Sequence, residues 1–253
     1  MLSDFQPIVH KLDGRTIKVW AVADVHIGAC ESNIGEFRKF LGRIQADSDS
    51  YVVLCGDLMN NGVKDSVTNV YEETMPPSAQ VDMCAELLEP IADKILGCVG
   101  GNHERRSKKA VDLDPLYAVM CMIRKQELYR QSMAFVRINM ERGKTKEHYA
   151  LLLVHGASAN KKRHFAYSVE GVDAIISGHT HDGVVEKPAR LVFTTSNQVH
   201  VQPLVSLTAT SWVDYGGYAS RALFLPKTVS NPQYLELEFT GTNARDGNIR
   251  VVW

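Results

Sequence analysis

The sequence predicts an α/β fold in which two mixed sheets stack face to face with helices outside them. The N-terminal half alternates apolar strands with helical periodicity, the part after Asp182 is almost all strand and turn, and five strands end in polar clusters. The chain has 253 residues, of which 45% are hydrophobic, and it shows no internal repeat or convincing linker. We therefore expect one domain over residues 1–253. The alternative is a separate C-terminal module after about Asn197.

The first predicted elements are a strand, a helix and a second strand. Thr16–Asp24 is a short apolar run rich in β-branched and aromatic residues, which is typical of a strand. Ser32 to about Ala46 predicts a helix, because its apolar residues recur at steps of three and four. Tyr51–Cys55 is apolar on both faces, as expected of a strand in a sheet that helices cover.

The next elements continue the alternation of helix and strand. Helical spacing extends from Ala79 to about Lys94, and Pro90 should kink this helix or begin a second one. Ile95–Gly100 predicts a third strand. The pair Asp114-Pro115 is typical of a helix N-cap and first helical residue, and it predicts a helix that continues to about Arg130.

The second half of the chain is predicted to consist of strands and turns. Ala134–Met140 and His148–Val154, joined by a polar turn at Glu141–Lys146, predict a hairpin. Asp173–Ser177 predicts a short apolar strand. Further strands are expected at Val184–Thr194, Val199–Thr210, Arg221–Leu225, Tyr234–Phe239 and Ile249–Trp253.

Composition excludes several classes of protein. The 28 basic and 29 acidic residues nearly cancel, which argues against wholesale electrostatic binding of nucleic acid but leaves a local basic patch open. No apolar run reaches the roughly 18–20 residues that a membrane helix needs, and Met1–Gly14 lacks the apolar core of a signal peptide. The five cysteines form no CxxC pair, so we expect a reducing, cytoplasmic setting. The sequence does not indicate an oligomeric state.

Polar residues follow the ends of five predicted strands. Acidic and imidazole groups are costly in a core unless they are paired or bind metal, and ligand sites of α/β sheets gather outside the carboxyl ends of strands. We therefore expect one shared site, with glycines beside it that permit tight turns. Its polar residues are Asp24, His26, Asp57, Asn102, His103, His155, His179 and His181.

Seven of these side chains form a plausible ligand set for metal ions. They offer oxygen and nitrogen donors without a thiolate, which suits Mn, Fe, Zn or Ni better than Mg or Ca. Seven donors are too many for one ion and fit two divalent ions that share one carboxylate, and we expect Mn as the metal. The seven are Asp24, His26, Asp57, Asn102, His155, His179 and His181.

The order of these motifs resembles the calcineurin-like metallophosphoesterase superfamily. The resemblance covers residues 24–181 and extends only loosely over residues 182–253. It implies a four-layer α/β/β/α sandwich. The blocks that carry it are Asp24-Val25-His26, Gly56-Asp57, Gly101-Asn102-His103-Glu104, His155-Gly156 and Gly178-His179-Thr180-His181.

The resemblance also implies a role for each position. Asp57 would bridge two metals, His103 would protonate the leaving oxygen, and Glu104 could orient His103. The first metal would bind Asp24, His26 and His181, and the second Asn102, His155 and His179. One block departs from the family: Leu58-Met59-Asn60-Asn61-Gly62 stands where many members have an acidic or Arg-containing continuation. Asn60 is expected to bind a phosphate oxygen or an outer-shell ligand.

The expected activity is hydrolysis of a phosphate ester by a metal-bridging hydroxide. Basic residues at 105–109 and at Lys161-Lys162-Arg163 would hold phosphates, with Arg105 the foremost phosphate contact, unless they are solvated loops. The loop Ser211–Tyr218 would stack a base or rim the pocket, or would simply cover the second sheet. These features favour a phosphodiesterase or nuclease acting on nucleic acid or nucleotides.

Two alternatives remain open at the sequence level. One is a phosphomonoesterase, including a protein phosphatase-like enzyme. The other is a non-catalytic metal-binding scaffold that has kept the fold. A degenerate scaffold should lack ligands, whereas every expected position is filled here, which favours an enzyme.

Overall fold

Two six-stranded sheets form the centre of the molecule in the computed structural model, which describes residues 3–64, 66, 70–156, 168–193, 195–221, 232–241 and 249–252. The described strands are β1 (Ile8–Leu12), β2 (Thr16–Val22), β3 (Ser50–Leu54), β4 (Ile95–Val99), β5 (Tyr129–Arg130), β6 (Met133–Arg142), β7 (Thr145–Val154), β8 (Ala174–Ser177), β9 (Val185–Glu186), β10 (Ala189–Phe193), β11 (Val199–Pro203), β12 (Val205–Thr208), β13 (Tyr234–Glu238) and β14 (Ile249–Val252). The described helices are α1 (Ile34–Ala46), α2 (Pro77–Leu88), α3 (Glu104–Val111), α4 (Pro115–Met122) and α5 (Gly217–Arg221).

Both sheets are mixed. The first sheet has the strand order β14-β13-β2-β3-β4-β5, in which β2 to β5 run parallel and β13 and β14 are antiparallel additions at one side. The second has the order β1-β6-β7-β8-β12-β9, with an antiparallel hairpin of β6 and β7. Strands β7, β8 and β12 are parallel to one another. The remaining strands, β10 and β11, pair only with each other in the described part of the chain.

A large apolar core joins the sheets, and a smaller apolar cluster around Leu152 and Ile175 lies apart from it. Gly97 of β4 faces the side chains of Val136 and Leu153 in the second sheet so closely that a Cβ atom would lie 2.9 Å from each. On the other side of the first sheet, Phe40 of α1 packs edge-on against Trp20, with ring centroids 5.4 Å apart. The predicted α/β architecture of two mixed sheets with flanking helices is confirmed. The single-domain organisation stays a prediction. None of the described helices is long and apolar enough to cross a membrane.

The helix predicted from Asp114 begins as expected but ends earlier. The Asp114 carboxylate accepts a hydrogen bond from the N–H of Tyr117, and Pro115 is the first helical residue. The helix ends at Met122 instead of Arg130, because Arg124 adopts a left-handed conformation with φ of 58°. The N–H of Lys125 then donates to the Met120 carbonyl, as in a Schellman cap.

Other boundaries also differ from the prediction. The predicted turn at Glu141–Lys146 is shorter, since Arg142 and Thr145 already pair and Gly143 supplies the left-handed turn residue. The ranges predicted as single strands at Val184–Thr194 and Val199–Thr210 each divide in two. Arg221 ends helix α5 and does not begin a strand, and residues 222–225 lie outside the described ones.

Candidate dinuclear metal centre

The structure brings all seven predicted ligands to one place. Asp24 and His26 follow β2, Asp57 follows β3, and Asn102 follows β4, all in the first sheet. The second sheet contributes the loops after β7 and β8, which carry His155, His179 and His181. The donor atoms form overlapping groups within 4.8 Å. The site therefore lies where the carboxyl ends of parallel strands from both sheets meet.

The first donor group is Asp24, His26 and His181. Oδ1 of Asp24 lies 3.2 Å from Nε2 of His181 and 3.8 Å from Nε2 of His26. Asp24 is fully buried, and neither its Oδ1 nor Nε2 of His26 has a hydrogen-bond partner among the described residues. Buried polar atoms without partners are rare, and a divalent cation between them would satisfy both.

The second donor group is Asp57, Asn102, His155 and His179. Oδ1 of Asn102 lies 2.9 Å from Nε2 of His155 and 2.9 Å from Nδ1 of His179. Oδ2 of Asp57 lies 3.2 Å from Nε2 of His155. Asp57 also belongs to a group with His26, so its carboxylate stands between the two sets of donors. These residues fit a pair of cations that share Asp57.

Hydrogen bonds outside the two groups aim the donors inward. Nδ1 of His155 donates to the Cys55 carbonyl at 2.7 Å, because a carbonyl can only accept, and this leaves Nε2 directed at the donor group. Oδ2 of Asp24 accepts the N–H of His179 at 2.8 Å. Oδ1 of Asp57 likewise accepts the N–H of His103 at 2.8 Å. Each carboxylate thus ties a neighbouring loop with one oxygen and presents the other to the site.

Most of the predicted ligands have a strained backbone. Left-handed φ values are uncommon for residues other than glycine and persist only where the surrounding structure enforces them, typically at functional sites. Five of the seven adopt them: Asp24 (55°), His26 (51°), Asp57 (52°), His179 (75°) and His181 (58°). At these five positions, which follow β2, β3 and β8, the left-handed backbone turns the side chain into the site.

Two glycines allow the ligand loops to approach one another. A Cβ atom at Gly178 would lie 2.5 Å from that of Ala23 and 2.7 Å from Oδ2 of Asp24. A Cβ atom at Gly101 would collide with the backbone N and Oδ1 of Asp57. Any side chain at these positions would push the loops after β2, β3, β4 and β8 apart.

The sequence matches the family described as calcineurin-like phosphoesterase over residues 17–183. The chain belongs to that family. The match includes all seven candidate ligands, and it confirms the resemblance on which the sequence prediction relied. A comparison with curated proteins finds no match.

Solved structures that resemble this family member include a metallophosphoesterase from Sphaerobacter thermophilus, with 14% identity, a TM-score of 0.41 and coverage of 89% of this chain and 85% of that one. Vps29 from Chaetomium thermophilum has 11% identity and a TM-score of 0.38, covering 93% and 95%. NAD nucleotidase from Haemophilus influenzae has 8% identity and a TM-score of 0.44, covering 94% of this chain and 49% of that one.

The histidines of the site differ in their readiness to bind a cation. Burial, together with the neighbouring His103, lowers the pKa of His26 to about 3, and burial also lowers the pKa of His179. Burial opposes protonation of His155 as well, but its hydrogen bond to Asp57 and the charge of that carboxylate raise the pKa to about 9. Without metal, His155 therefore carries a proton at neutral pH, whereas the other two rings are neutral.

Metal binding to the second group should release a proton. A cation needs the unprotonated Nε2 of His155, so below pH 9 it must displace the proton that Asp57 stabilises there. We expect about one proton per chain to be released at pH 7.5, and affinity for metal to rise with pH until about 9. Calorimetric titration of Mn²⁺ in two buffers of different ionisation enthalpy measures this number. Titration without proton release would contradict the assigned ion pair.

Glu104 has a different role from the one expected. It is buried, and Oε2 accepts the N–H groups of Asp57 and Gly101 at 3.0 and 2.9 Å. Oε1 accepts the N–H groups of Leu58 and Met59 at 2.8 and 3.2 Å. Burial, followed by the charge of Asp57, raises the pKa of Glu104 to about 7, while these N–H donors oppose the rise. Glu104 thus fixes the Asp57 loop, and the His103 ring is oriented by other groups.

Asn60 and Arg106 orient the ring of His103. Nδ1 of His103 donates to the backbone carbonyl of Asn60 at 2.8 Å, and a guanidinium nitrogen of Arg106 lies 3.0 Å from Nε2. Nε2 also lies 3.8 Å from Oδ2 of Asp57, so it faces the donor groups. Because a guanidinium can only donate, Nε2 accepts from Arg106, and the ring is the neutral Nδ1–H tautomer. Burial lowers the pKa of His103, which agrees with this form.

The side chain of Asn60 is engaged away from the site, whereas the role of Arg105 as a phosphate contact stays a prediction. The amide of Asn60 donates to Glu73 at 2.6 Å, so its backbone carbonyl, not its side chain, serves the site. Arg105 is exposed on α3, whereas its neighbour Arg106 turns towards His103.

Trp212 is buried against Phe37 and covers α1, which excludes it as a base-stacking surface. The basic residues Lys161-Lys162-Arg163 lie outside the described residues.

The sequence analysis placed Arg106 among the basic residues at 105–109 but ranked Arg105 above it, because it did not predict helix α3. The charged run Glu104–Val111 shows little apolar periodicity and resembles a solvated loop. If it is taken as a helix that begins beside His103, residues 103 and 106 are three apart and therefore share a face. This three-residue spacing is the feature of the sequence that would have indicated that Arg106, and not Arg105, lies beside His103.

Proposed function

We propose that this chain hydrolyses phosphate esters, with two divalent cations held by the two donor groups and shared through Asp57. A phosphoester substrate fits the family. The observation that carries the proposal is the position of the Asp57 carboxylate, within reach of His155 on one side and grouped with His26 and His103 on the other. Cations held there would lower the pKa of a water molecule and neutralise phosphoryl oxygens, and Mn²⁺ suits the donor set.

The residues of the chain perform the remaining tasks. Asp57, His155 and Asn102 fix one side of the phosphoryl site, and Asp24 and His181 fix the other. His103 lies beside this space with its Nδ1–H held by the Asn60 carbonyl, so Nε2 is the atom that would meet the leaving oxygen. Nε2 carries no proton in the neutral ring, so the ring must first take up a proton there from solvent before it can pass that proton to the leaving oxygen. Protonation of a leaving group by a positioned imidazole contributes about 10²–10⁴-fold to hydrolysis.

The proposed substrate is a phosphodiester of nucleic acid or nucleotide type. Support comes from basic residues that follow His103 on α3, where Arg105 and Lys109 are exposed and Arg106 reaches the site. Cationic side chains next to a phosphoester site would bind the neighbouring phosphates of such a substrate.

The test combines metal analysis with a panel of phosphoesters. Purified protein loaded with Mn²⁺ should contain two ions per chain and should hydrolyse a bis-aryl phosphodiester faster than an aryl phosphomonoester. Single- and double-stranded DNA are included as further substrates. Faster monoester turnover would contradict the diester preference but not the hydrolase. Two bound ions with no turnover of any ester would contradict hydrolysis and support a metal-binding scaffold.

The variant His103→Ala should separate metal binding from proton donation. We expect unchanged metal content and a loss of about 10²–10⁴-fold in kcat for an alkyl phosphodiester, with a smaller loss for aryl esters whose leaving groups need no proton. His200→Ala, which alters an exposed histidine of β11, is the control. Unchanged turnover of the alkyl ester by His103→Ala would contradict the assigned role.

A further inference from the structure

Arg106 stands between the helix α3 and the candidate site, on the side of His103. One guanidinium nitrogen donates to the Asn60 carbonyl at 3.0 Å, and the other lies 3.0 Å from Nε2 of His103. The same carbonyl accepts the Nδ1–H of His103. Arg106 and His103 are therefore held in a fixed relation by one backbone oxygen on the loop after β3.

The contact with His103 has a chemical consequence. Nε2 is the ring atom that faces Asp57, at 3.8 Å from Oδ2, and it is also the atom that Arg106 covers. A phosphoester that reaches this space brings anionic oxygens to within bonding distance of the guanidinium. A planar guanidinium binds phosphoryl oxygens better than it binds a neutral imidazole, because its fork matches two oxygens and the bond is charge-assisted.

Neighbouring residues hold the guanidinium of Arg106 towards the site. Arg106 is half-buried, and Asn61 next to it on the β3 loop is buried, with its amide donating to the His103 carbonyl at 2.7 Å. The hydroxyl of Ser107 donates to Oδ1 of Asn61 at 2.8 Å and so fixes α3 to this loop. Arg105 on the neighbouring position of the helix has no such anchorage among the described contacts and points to solvent.

We propose that Arg106 binds the phosphoryl group of the substrate and, in doing so, gives up its hydrogen bond to Nε2 of His103. Hydrolysis of that substrate rests on the proposed function, whereas the binding itself concerns any phosphoryl anion at the site. Before substrate binds, Arg106 donates a hydrogen bond to Nε2 of His103. After substrate binds, the guanidinium donates to the phosphoryl oxygens instead.

The experiment measures inorganic phosphate affinity of the Mn²⁺-loaded protein by calorimetry. Arg106→Gln should weaken phosphate binding about 10- to 100-fold, as for loss of a hydrogen bond to a charged group, and Arg106→Lys should lose part of that amount. Arg38→Gln, which alters an exposed arginine of α1, should change nothing. Metal content and thermal unfolding of each variant confirm that the site and the fold are intact.

The kinetic readout separates binding from mere support of the His103 ring. A phosphoryl contact raises KM along with the phosphate dissociation constant, whereas a purely structural prop would lower kcat and leave phosphate affinity unchanged. Unchanged phosphate affinity in Arg106→Gln overturns the proposal, and so does a loss confined to Arg105→Gln.

If the protein hydrolyses no ester but phosphate binding depends on Arg106, the proposed function fails and the binding inference stands. If both variants of Arg106 fail to fold, modification of the wild-type protein by phenylglyoxal provides the test: phosphate should protect Arg106 and leave the exposed Arg105 reactive, and unprotected Arg106 overturns the proposal.

Discussion

The variant Asp57→Asn should lose bound metal and hydrolytic activity together. The carboxylate belongs to the second donor group, with Oδ2 lying 3.2 Å from Nε2 of His155, and it is also grouped with His26 of the first. An amide cannot supply the charge that two cations share. Replacement of groups that merely orient metal ligands costs about 10- to 100-fold in affinity or activity, so loss of a shared ligand should cost at least that.

Metal content by mass spectrometry and turnover of the bis-aryl phosphodiester measure the two effects on the same preparation. Asp93→Asn is the matched control, because Asp93 is an exposed carboxylate that pairs with Lys125 on the surface. Asp57→Asn also removes the partner of His155, whose raised pKa depends on that carboxylate, so the proton release described above should disappear. A variant that keeps two ions and full activity would show that Asp57 is not shared.

The strand ends could be predicted from sequence because the pattern is local. Each ligand loop follows a short apolar run, and parallel strands carry their carboxyl ends to one edge, so residues far apart in sequence such as Asp24 and His179 meet. The pairing of the two sheets around a common edge was available only through the family resemblance. The metal-ligand roles of these residues stay predictions.

The backbone of the site could not be predicted in the same way. Asp is among the non-glycine residues that adopt a left-handed φ most often, but residue type does not say which Asp does so; at Asp24 and Asp57 it arises from contacts between loops that are distant in sequence. Glu104 illustrates the same limit. In sequence it is one charge in a charged run, and only the fold turns it inward onto the loop that carries Asp57. Long-range hydrogen bonds of this kind leave no periodic signal.

Glu104→Gln should destabilise both the fold and the metal centre. The two carboxylate oxygens accept four backbone N–H groups, and a glutamine amide keeps only one acceptor oxygen, so two N–H groups would face an NH₂ donor instead. Each buried donor left without a partner costs about 1–3 kcal/mol, so two of them predict a loss of about 2–6 kcal/mol in the free energy of unfolding. The loop would also hold Asp57 less firmly, lowering metal affinity about 10- to 100-fold.

Urea unfolding of the metal-free protein at pH 8 measures the first effect, and titration with Mn²⁺ measures the second. Glu86→Gln serves as the control, because Glu86 is an exposed glutamate of α2 whose distant pair with Arg38 lies on the surface. Equal unfolding midpoints for Glu104→Gln and the wild type would mean that the four N–H groups find other acceptors. Loss of stability with undiminished metal affinity would show that Glu104 supports the fold without positioning Asp57, because the carboxylate would then be held by its own bond to the N–H of His103.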